Sequence, residues 1–121
     1  MAKTILIVDD SSTIRTMVAF TLQQAGFAVV EGSNGREALT KLSGQRVDLI
    51  VTDLNMPVMD GITLIKNVRS QPATRGIPVL MLTTESHEAK RREGKAAGAT
   101  GWIVKPFHPD KLLSTIAKVL P

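Results

Sequence analysis

Carboxylate, hydroxyl and ammonium side chains, which can take part in catalysis or ligand binding, follow several apolar stretches of this sequence. The residues that stand where such a stretch ends are Asp9, Asp10, Asp53, Thr83 and Lys105. Apolar runs without polar alternation are typical of strands buried on both faces of a parallel sheet. Because the carboxyl ends of parallel strands meet at one edge, where ligands bind in open α/β sheets, we expect these five side chains to converge there.

Three carboxylates and one ammonium at a single sheet edge form an unusual charge cluster. Like charges held a few ångströms apart repel strongly when they are partly buried, so the cluster needs a counter-ion. Mg²⁺ fits because it takes oxygen ligands and keeps several waters, and Lys105 would neutralise the remaining charge. The competing interpretation is that these are acidic loops solvated at a sheet edge, without a joint role.

The chemistry that suits this cluster is phosphoryl transfer. A carboxylate oxygen of Asp53 attacks phosphorus and forms an acyl phosphate. The metal and the ammonium of Lys105 neutralise charge on the equatorial oxygens. The Thr83 hydroxyl can then bond one oxygen of the attached phosphoryl group.

Strand and helix patterns alternate five times along the chain. Strands are predicted at 4–8, 27–31, a third with its apolar run at 49–51 that ends in Asp53, 78–82 and 101–104. Each is followed by a helix, with caps expected at Ser11 or Ser12, at Ser33 or Asn34 and at Asp60. The fourth helix is expected at about 86–97 and the fifth from Pro109. This alternation predicts a doubly wound α/β fold, a five-stranded parallel sheet with helices on both faces.

Composition narrows the class of protein. The chain has 121 residues, a net charge of +4, a sequence pI of about 9.8, 3% aromatic residues and no cysteine or tyrosine. We expect one domain over 1–121 with no output domain, in a cytoplasmic monomer with no membrane span or signal peptide. Because the basic residues are spread along the chain and stacking aromatics are scarce, we expect no nucleic-acid partner.

The pattern of acidic, hydroxyl and lysine residues resembles the signature of a response-regulator receiver domain over the whole chain. The matching motifs are Asp9-Asp10, Asp53, Thr83, Lys105-Pro106 and the loop Asp53-Leu54-Asn55-Met56-Pro57-Val58-Met59-Asp60-Gly61. The resemblance implies a flavodoxin-like sheet with strand order 2-1-3-4-5. It also implies a signalling protein that catalyses its own phosphorylation and dephosphorylation rather than a conventional enzyme.

The resemblance assigns a role to each matching residue. Asp53 is similar to the acceptor that takes phosphate from a histidine kinase. Asp10 matches a direct Mg²⁺ ligand, Asp9 a ligand that acts largely through water, and Asn55 the position whose backbone carbonyl binds the metal.

Further positions match residues that switch or tune such domains. Thr83 matches the switch hydroxyl, and Lys105-Pro106 matches a bond that is usually cis. The residues expected to tune the lifetime of the acyl phosphate are Asn55, Thr84 and Glu85.

Trp102 allows two interpretations. As the single tryptophan of the chain it could fill the core under the last strand. In the receiver family its position matches an aromatic residue that turns inward when the switch threonine moves. Tryptophan is bulkier than the usual residue and its N–H needs a partner, so the inward state would be harder to reach.

Among receivers, the segments 8–15 and 101–107 resemble the stand-alone, CheY-like chemotaxis type. The partners implied are a histidine kinase and a flagellar motor switch protein, or another acidic protein segment. The expected docking face comprises the fourth helix, fifth strand and fifth helix, with Lys90, Arg91, Lys95 and Trp102. A phosphorelay intermediate and a phosphate sink remain alternatives within the class.

Two hypotheses come from other classes of protein. A phosphatase that uses an aspartyl phosphate would carry its nucleophile after the first strand and a second Asp two residues on, whereas Asp9 and Asp10 are adjacent. A flavodoxin-like electron carrier needs a hydroxyl- and glycine-rich phosphate loop after that strand, and this acidic pair would repel the phosphate.

Overall fold

The computed structural model describes residues 2–84 and 88–120. Its elements in chain order are β1 (Thr4–Val8), α1 (Ser12–Gln24), β2 (Ala28–Gly32), α2 (Gly35–Gly44), β3 (Leu49–Asp53), α3 (Gly61–Ser70), β4 (Val79–Thr83), α4 (Glu88–Ala97), β5 (Gly101–Val104) and α5 (Pro109–Val119). The five strands form one parallel sheet in the order β2-β1-β3-β4-β5. The predicted α/β fold and strand order are confirmed.

Helices cover both faces of the sheet because successive strand residues point to opposite sides. On one face, Leu6 and Ile50 pack in a core with residues of α2 and α3. On the other face, Ile7 and Val51 pack against α1 and α5. Strands buried on both sides explain why the sequence runs are continuously apolar rather than alternating.

Local side-chain chemistry starts three of the helices. Ser11 caps α1 by accepting a hydrogen bond from the Ile14 N–H, at 3.2 Å. Asn34 caps α2 in the same way, and the Asp60 carboxylate accepts from the Thr63 N–H at 2.8 Å to cap α3. These caps were among those expected, since a short polar side chain satisfies an N–H that has no partner within the helix.

Two predicted strands are displaced by one residue. β2 begins at Ala28 rather than Phe27, because the Phe27 N–H closes the end of α1 by donating to the Leu22 carbonyl. β4 runs over Val79–Thr83 rather than 78–82, because Pro78 has no N–H to donate and Thr83 pairs with Val104. The predicted start of the fourth helix, at Ser86, lies outside the described residues.

α4 is the helix that is least anchored by apolar contacts. Gly94 is its one buried residue among those described. A Cβ atom at this position would overlap the Sδ atom of Met81 in β4. The absence of a side chain at Gly94 therefore lets α4 lie close against the sheet.

No helix in the described ranges is both long and apolar enough to cross a membrane.

Candidate functional site

Asp53 ends β3 at the carboxyl edge of the sheet, and 13% of its side chain is exposed. Its Oδ1 atom accepts a hydrogen bond from the Leu54 N–H at 2.8 Å and lies 3.1 Å from Nζ of Lys105. Gly61, the first residue of α3, lies against the Asp53 main chain, where a Cβ atom would overlap the carbonyl oxygen. The end of β3 is thus fixed by its neighbours in the sheet, by the close approach of α3 and by the ammonium of Lys105.

Asp9 follows β1 and is almost completely buried, with 1% exposed. Its Oδ1 atom accepts from the Ser11 N–H at 2.9 Å, and its Oδ2 atom lies 3.4 Å from Nζ of Lys105. Burial raises the pKa of the Asp9 carboxyl, and the charge of Asp53 raises it further. The Ser11 hydrogen bond and the Lys105 ammonium act in the opposite direction.

Asp10 completes an acidic cluster with Asp9 and Asp53. Each residue offers one carboxylate oxygen, and these three oxygens lie within 4.8 Å of one another. Asp10 is exposed, so the cluster opens to solvent on that side. A divalent cation that prefers oxygen ligands fits this donor set, since three neighbouring carboxylates repel one another and a bound cation relieves that repulsion.

Lys105 connects the cluster to the neighbouring strands. It follows β5, its N–H donates to the Thr83 carbonyl at 2.7 Å, and the Lys105–Pro106 peptide bond is cis. Its ammonium lies between Asp9 and Asp53. Thr83, at the end of β4, is buried and its hydroxyl donates to the Thr84 carbonyl at 3.3 Å.

The remaining predicted site residues lie around this centre. Asn55 is exposed in the loop after β3, and Thr84 is half-buried after β4. Glu85 lies outside the described residues. The predicted grouping of Asp9, Asp10, Asp53 and Lys105 is therefore found in the structure. The roles assigned to these residues, to Thr83 and to the flanking positions stay predictions.

Trp102 does not fill the core, because 41% of it is exposed on β5. The guanidinium carbon of Arg91 lies 5.3 Å from the centre of its ring, a cation–π distance. Both residues line a groove of about 250 Å³ between α4 and β5, together with Glu88, Arg92 and Lys95. Lys90 is exposed and pairs with Glu93 at 3.7 Å.

The loop after Asp53 contains an unusual backbone conformation. Val58 has a φ of 70°, and the Met59 N–H donates to the Pro57 carbonyl at 2.7 Å, which closes a three-residue γ-turn around Val58. The Met59 carbonyl in turn accepts from the Gly35 N–H at 3.0 Å. These bonds hold a β-branched residue in a region that it rarely adopts.

One contact of the acidic cluster was not anticipated from the sequence. Arg15 in α1 donates from Nη1 to the backbone carbonyl of Asp9, at 2.6 Å. Its Nε atom also pairs with Glu31 at 3.2 Å. The sequence offered one signal for this contact, an arginine within two helical turns after the Asp9-Asp10 pair. Because the acceptor of its hydrogen bond is a main-chain oxygen, no pattern of side chains reveals the contact.

Comparisons with known proteins identify relatives over the full length of the sheet. A family model described as the response regulator receiver domain matches residues 5–117. The phosphate regulon transcriptional regulatory protein PhoB of Escherichia coli (strain K12) is 41% identical over 120 residues, which are 99% of this chain and 52% of that protein. The chain thus spans about half the length of such curated relatives.

Two solved structures are similar as well. The chemotaxis response regulator CheY4 of Vibrio cholerae is 52% identical, with a TM-score of 0.93 over 99% of this chain and 100% of that one. The receiver domain of a sensor histidine kinase from Pseudomonas aeruginosa is 27% identical, with a TM-score of 0.90 over 98% and 97% of the two chains. That structure is described as having a magnesium ion coordinated in its active site cleft.

Proposed function

Because the chain belongs to the response regulator receiver domain family of two-component signalling, we propose that it is phosphorylated on Asp53 by a histidine kinase in a Mg²⁺-dependent reaction. The observation that carries this proposal is the juxtaposition of the Asp53 carboxylate with Nζ of Lys105, at 3.1 Å, beside the Asp9 and Asp10 carboxylates. Phosphorylation would then shift the population of two arrangements of the chain, and a partner protein would recognise one of them.

Each residue of the site has a chemical role in this proposal. A carboxylate oxygen of Asp53 attacks phosphorus, and the bond to the donor nitrogen of phosphohistidine breaks. Lys105 neutralises charge that develops on the phosphoryl oxygens. The Asp9, Asp10 and Asp53 side chains and the Asn55 carbonyl would hold Mg²⁺, which supplies further charge neutralisation when bound.

Release of the signal follows from the same site. The Thr83 hydroxyl, now bonded to the Thr84 carbonyl, would turn to a phosphoryl oxygen. Hydrolysis of the acyl phosphate would reset the protein, at a rate set by Asn55, Thr84 and Glu85. The family comprises signalling domains rather than conventional enzymes, so this self-catalysed turnover is the expected extent of its catalysis.

The decisive experiment is prompt intact-mass measurement after incubation with acetyl phosphate and Mg²⁺. We expect one added phosphoryl group in the parent chain, and none in Asp53→Asn or in the presence of EDTA. A titration with beryllofluoride, followed by Trp102 fluorescence, covers the case of a short-lived adduct. The absence of both an adduct and a fluorescence change in the parent chain would refute the proposal.

For the output, we propose the chemotaxis type, in which the phosphorylated chain binds an acidic segment of a flagellar motor switch protein. Support comes from the 52% identity to CheY4 over all of that chain. Support also comes from the groove beside Trp102, whose lining, among the residues that the structure describes, includes three cationic side chains and one acidic one, Glu88. The similarity to PhoB supports a transcriptional pathway instead, in which this chain would be one part of a longer protein.

A peptide-binding assay tests the proposed docking face. A fluorescently labelled acidic peptide with one apolar anchor residue is titrated with the chain in beryllofluoride and Mg²⁺. We expect Lys95→Ala to weaken binding and Lys66→Ala, which removes an exposed lysine of α3, to leave it unchanged. Equal loss in both variants would indicate non-specific charge attraction and contradict the docking face. Transfer of the phosphoryl group to a second, histidine-containing protein would favour the phosphorelay alternative. Formation of the adduct without any peptide binding would favour the phosphate sink.

A further inference from the structure

Arg15 links three elements next to the acidic cluster. It lies in α1, 19% of its side chain is exposed, and its guanidinium contacts both the Asp9 carbonyl and the Glu31 carboxylate. Glu31 belongs to β2, on the far side of β1 from β3. The planar, forked guanidinium makes both contacts at once from a fixed geometry, which a single ammonium does not reproduce.

The carbonyl that Arg15 holds belongs to the peptide unit that joins Asp9 to Asp10. The Asp9 N–H is also fixed, since it donates to the Gly32 carbonyl at 3.1 Å. The main chain is therefore held on both sides of Asp9. Because a peptide unit is planar, holding its carbonyl also fixes the direction in which the chain enters Asp10.

Asp10 has no comparable support of its own. Within residues 2–84 and 88–120, its carboxylate takes part in no hydrogen bond and no ion pair. It is also exposed, whereas Asp9 and Asp53 are held by backbone N–H groups and Lys105. The position of the Asp10 carboxylate thus depends on the main chain, and Arg15 holds the Asp9 carbonyl of that main chain.

We propose that Arg15 is a positioning residue that preorganises Asp10 for binding of a divalent cation at the acidic cluster. The proposal rests on the function proposed above. Residues that orient metal ligands typically change metal affinity 10- to 100-fold when they are replaced. Removing Arg15 should therefore raise the dissociation constant for Mg²⁺.

Electrostatics alone predict the opposite result. Arg15 is a cation near the cluster, so its removal would reduce repulsion of Mg²⁺ and lower the dissociation constant. The sign of the change therefore separates a positioning role from a simple effect of charge. Arg36→Met provides a matched control, because it removes an exposed arginine of α2 with the same change of net charge.

The test is calorimetric titration of the metal-free chain with MgCl₂. We expect Arg15→Met to raise the dissociation constant about tenfold, and Arg36→Met to leave it unchanged or slightly lower. Phosphorylation by acetyl phosphate should require more Mg²⁺ for half-maximal rate in Arg15→Met and should approach the parent rate at saturating Mg²⁺. A structural disturbance of the acceptor would instead lower the saturated rate.

Arg15→Lys keeps the positive charge and tests the positioning role of Arg15 if Arg15→Met does not fold. We expect an intermediate rise in the dissociation constant, because one ammonium cannot hold both the Asp9 carbonyl and Glu31. An unchanged or tighter Mg²⁺ affinity in a folded Arg15 variant overturns the inference while the proposed function stands. Failure of the parent chain to bind Mg²⁺ or to form an adduct would instead refute the proposed function.

Discussion

At the scale of single residues, Lys105 determines how the acidic cluster is balanced. Its ammonium lies 3.4 Å from Asp9 and 3.1 Å from Asp53, so one cation serves two carboxylates. Burial is the main cause of the raised pKa of Asp9; the charge of Asp53 raises that pKa further, and Lys105 acts in the opposite direction. The three carboxylates of the cluster outnumber this ammonium, so a bound cation would relieve the repulsion among them.

Val58 is the residue at which backbone strain can be measured. Its φ of 70° places a β-branched residue in the left-handed region. The residue is 77% exposed, so packing of its side chain stabilises this conformation little. We expect Val58→Gly to raise the free energy of unfolding by about 1 kcal/mol, since glycine adopts positive φ without a steric penalty. Urea denaturation measures the change.

Val58→Ala is the matched control for this prediction. Alanine shortens the side chain but keeps a Cβ atom, and so keeps most of the strain. It should gain less stability than the glycine variant. A glycine variant that is less stable than the parent would show that the turn is not strained.

At the scale of elements, the Asp60 cap of α3 makes the free energy of unfolding depend on pH. The hydrogen bond from the Thr63 N–H holds the pKa of the Asp60 carboxyl below its usual range. A native carboxyl with a lowered pKa stabilises the fold above its ordinary pKa, and this contribution is lost as pH falls through the lowered value. We expect the parent to be more stable than Asp60→Asn at neutral pH and to lose that advantage in this acidic window.

Urea denaturation of both chains between neutral and acidic pH measures the effect. Asp60→Ala, which removes the cap, should lose about 1 kcal/mol at neutral pH. A difference between the parent and Asp60→Asn that does not change with pH would contradict the role of the charged cap.

The contact of α4 with the sheet gives a second prediction for an element. Alanine favours helix more than glycine does, yet a Cβ atom at Gly94 would overlap the buried Met81 side chain. We expect Gly94→Ala to destabilise the fold by about 1–3 kcal/mol, as overpacking typically does. Gly44→Ala, at the end of α2 with nothing within 4 Å of its Cβ position, should not be destabilising. Thermal unfolding compares the two, and equal effects would contradict the close contact.

The same elements show how far the sequence predicts the structure. The caps at Ser11, Asn34 and Asp60 were foreseeable because each depends on one side chain and the next turn. The start of β2 was not, because the Phe27 N–H is taken by the preceding helix. Local chemistry is readable from the sequence, whereas competition for a backbone group depends on tertiary structure.

The residues of the candidate site also divide into those whose placement the sequence predicts and those whose placement depends on tertiary structure. Asp9, Asp10, Asp53 and Lys105 could be grouped because parallel strands end at one edge. The contact of Arg15 with the Asp9 carbonyl could not be predicted, because it depends on how a long side chain is directed in the folded chain. For Trp102 the sequence left two interpretations open, and its exposure excludes the one in which it fills the core.

At the scale of the whole molecule, metal binding should be coupled to folding. A ligand that binds only the native state stabilises it by about 2.7 kcal/mol at a concentration 100 times its dissociation constant. We expect Mg²⁺ to raise the free energy of unfolding by that amount in the parent, because the three carboxylates lie close together only in the folded chain. The measurement is urea denaturation at several Mg²⁺ concentrations.

Asp10→Asn is the control for this coupling, since it removes the charge of one ligand from an exposed position. It should show much less stabilisation by Mg²⁺ than the parent. Equal stabilisation of the two chains would mean that Mg²⁺ acts elsewhere on the molecule.

The contact between Lys105 and Asp9 spans 96 positions of the sequence. During synthesis, both acidic strand ends leave the ribosome well before this lysine is added. A chain whose synthesis has not yet reached Lys105 therefore lacks the ammonium that contacts both Asp9 and Asp53 in the fold. The charge balance of the cluster is therefore completed late in synthesis, by a residue that follows the last strand of the sheet.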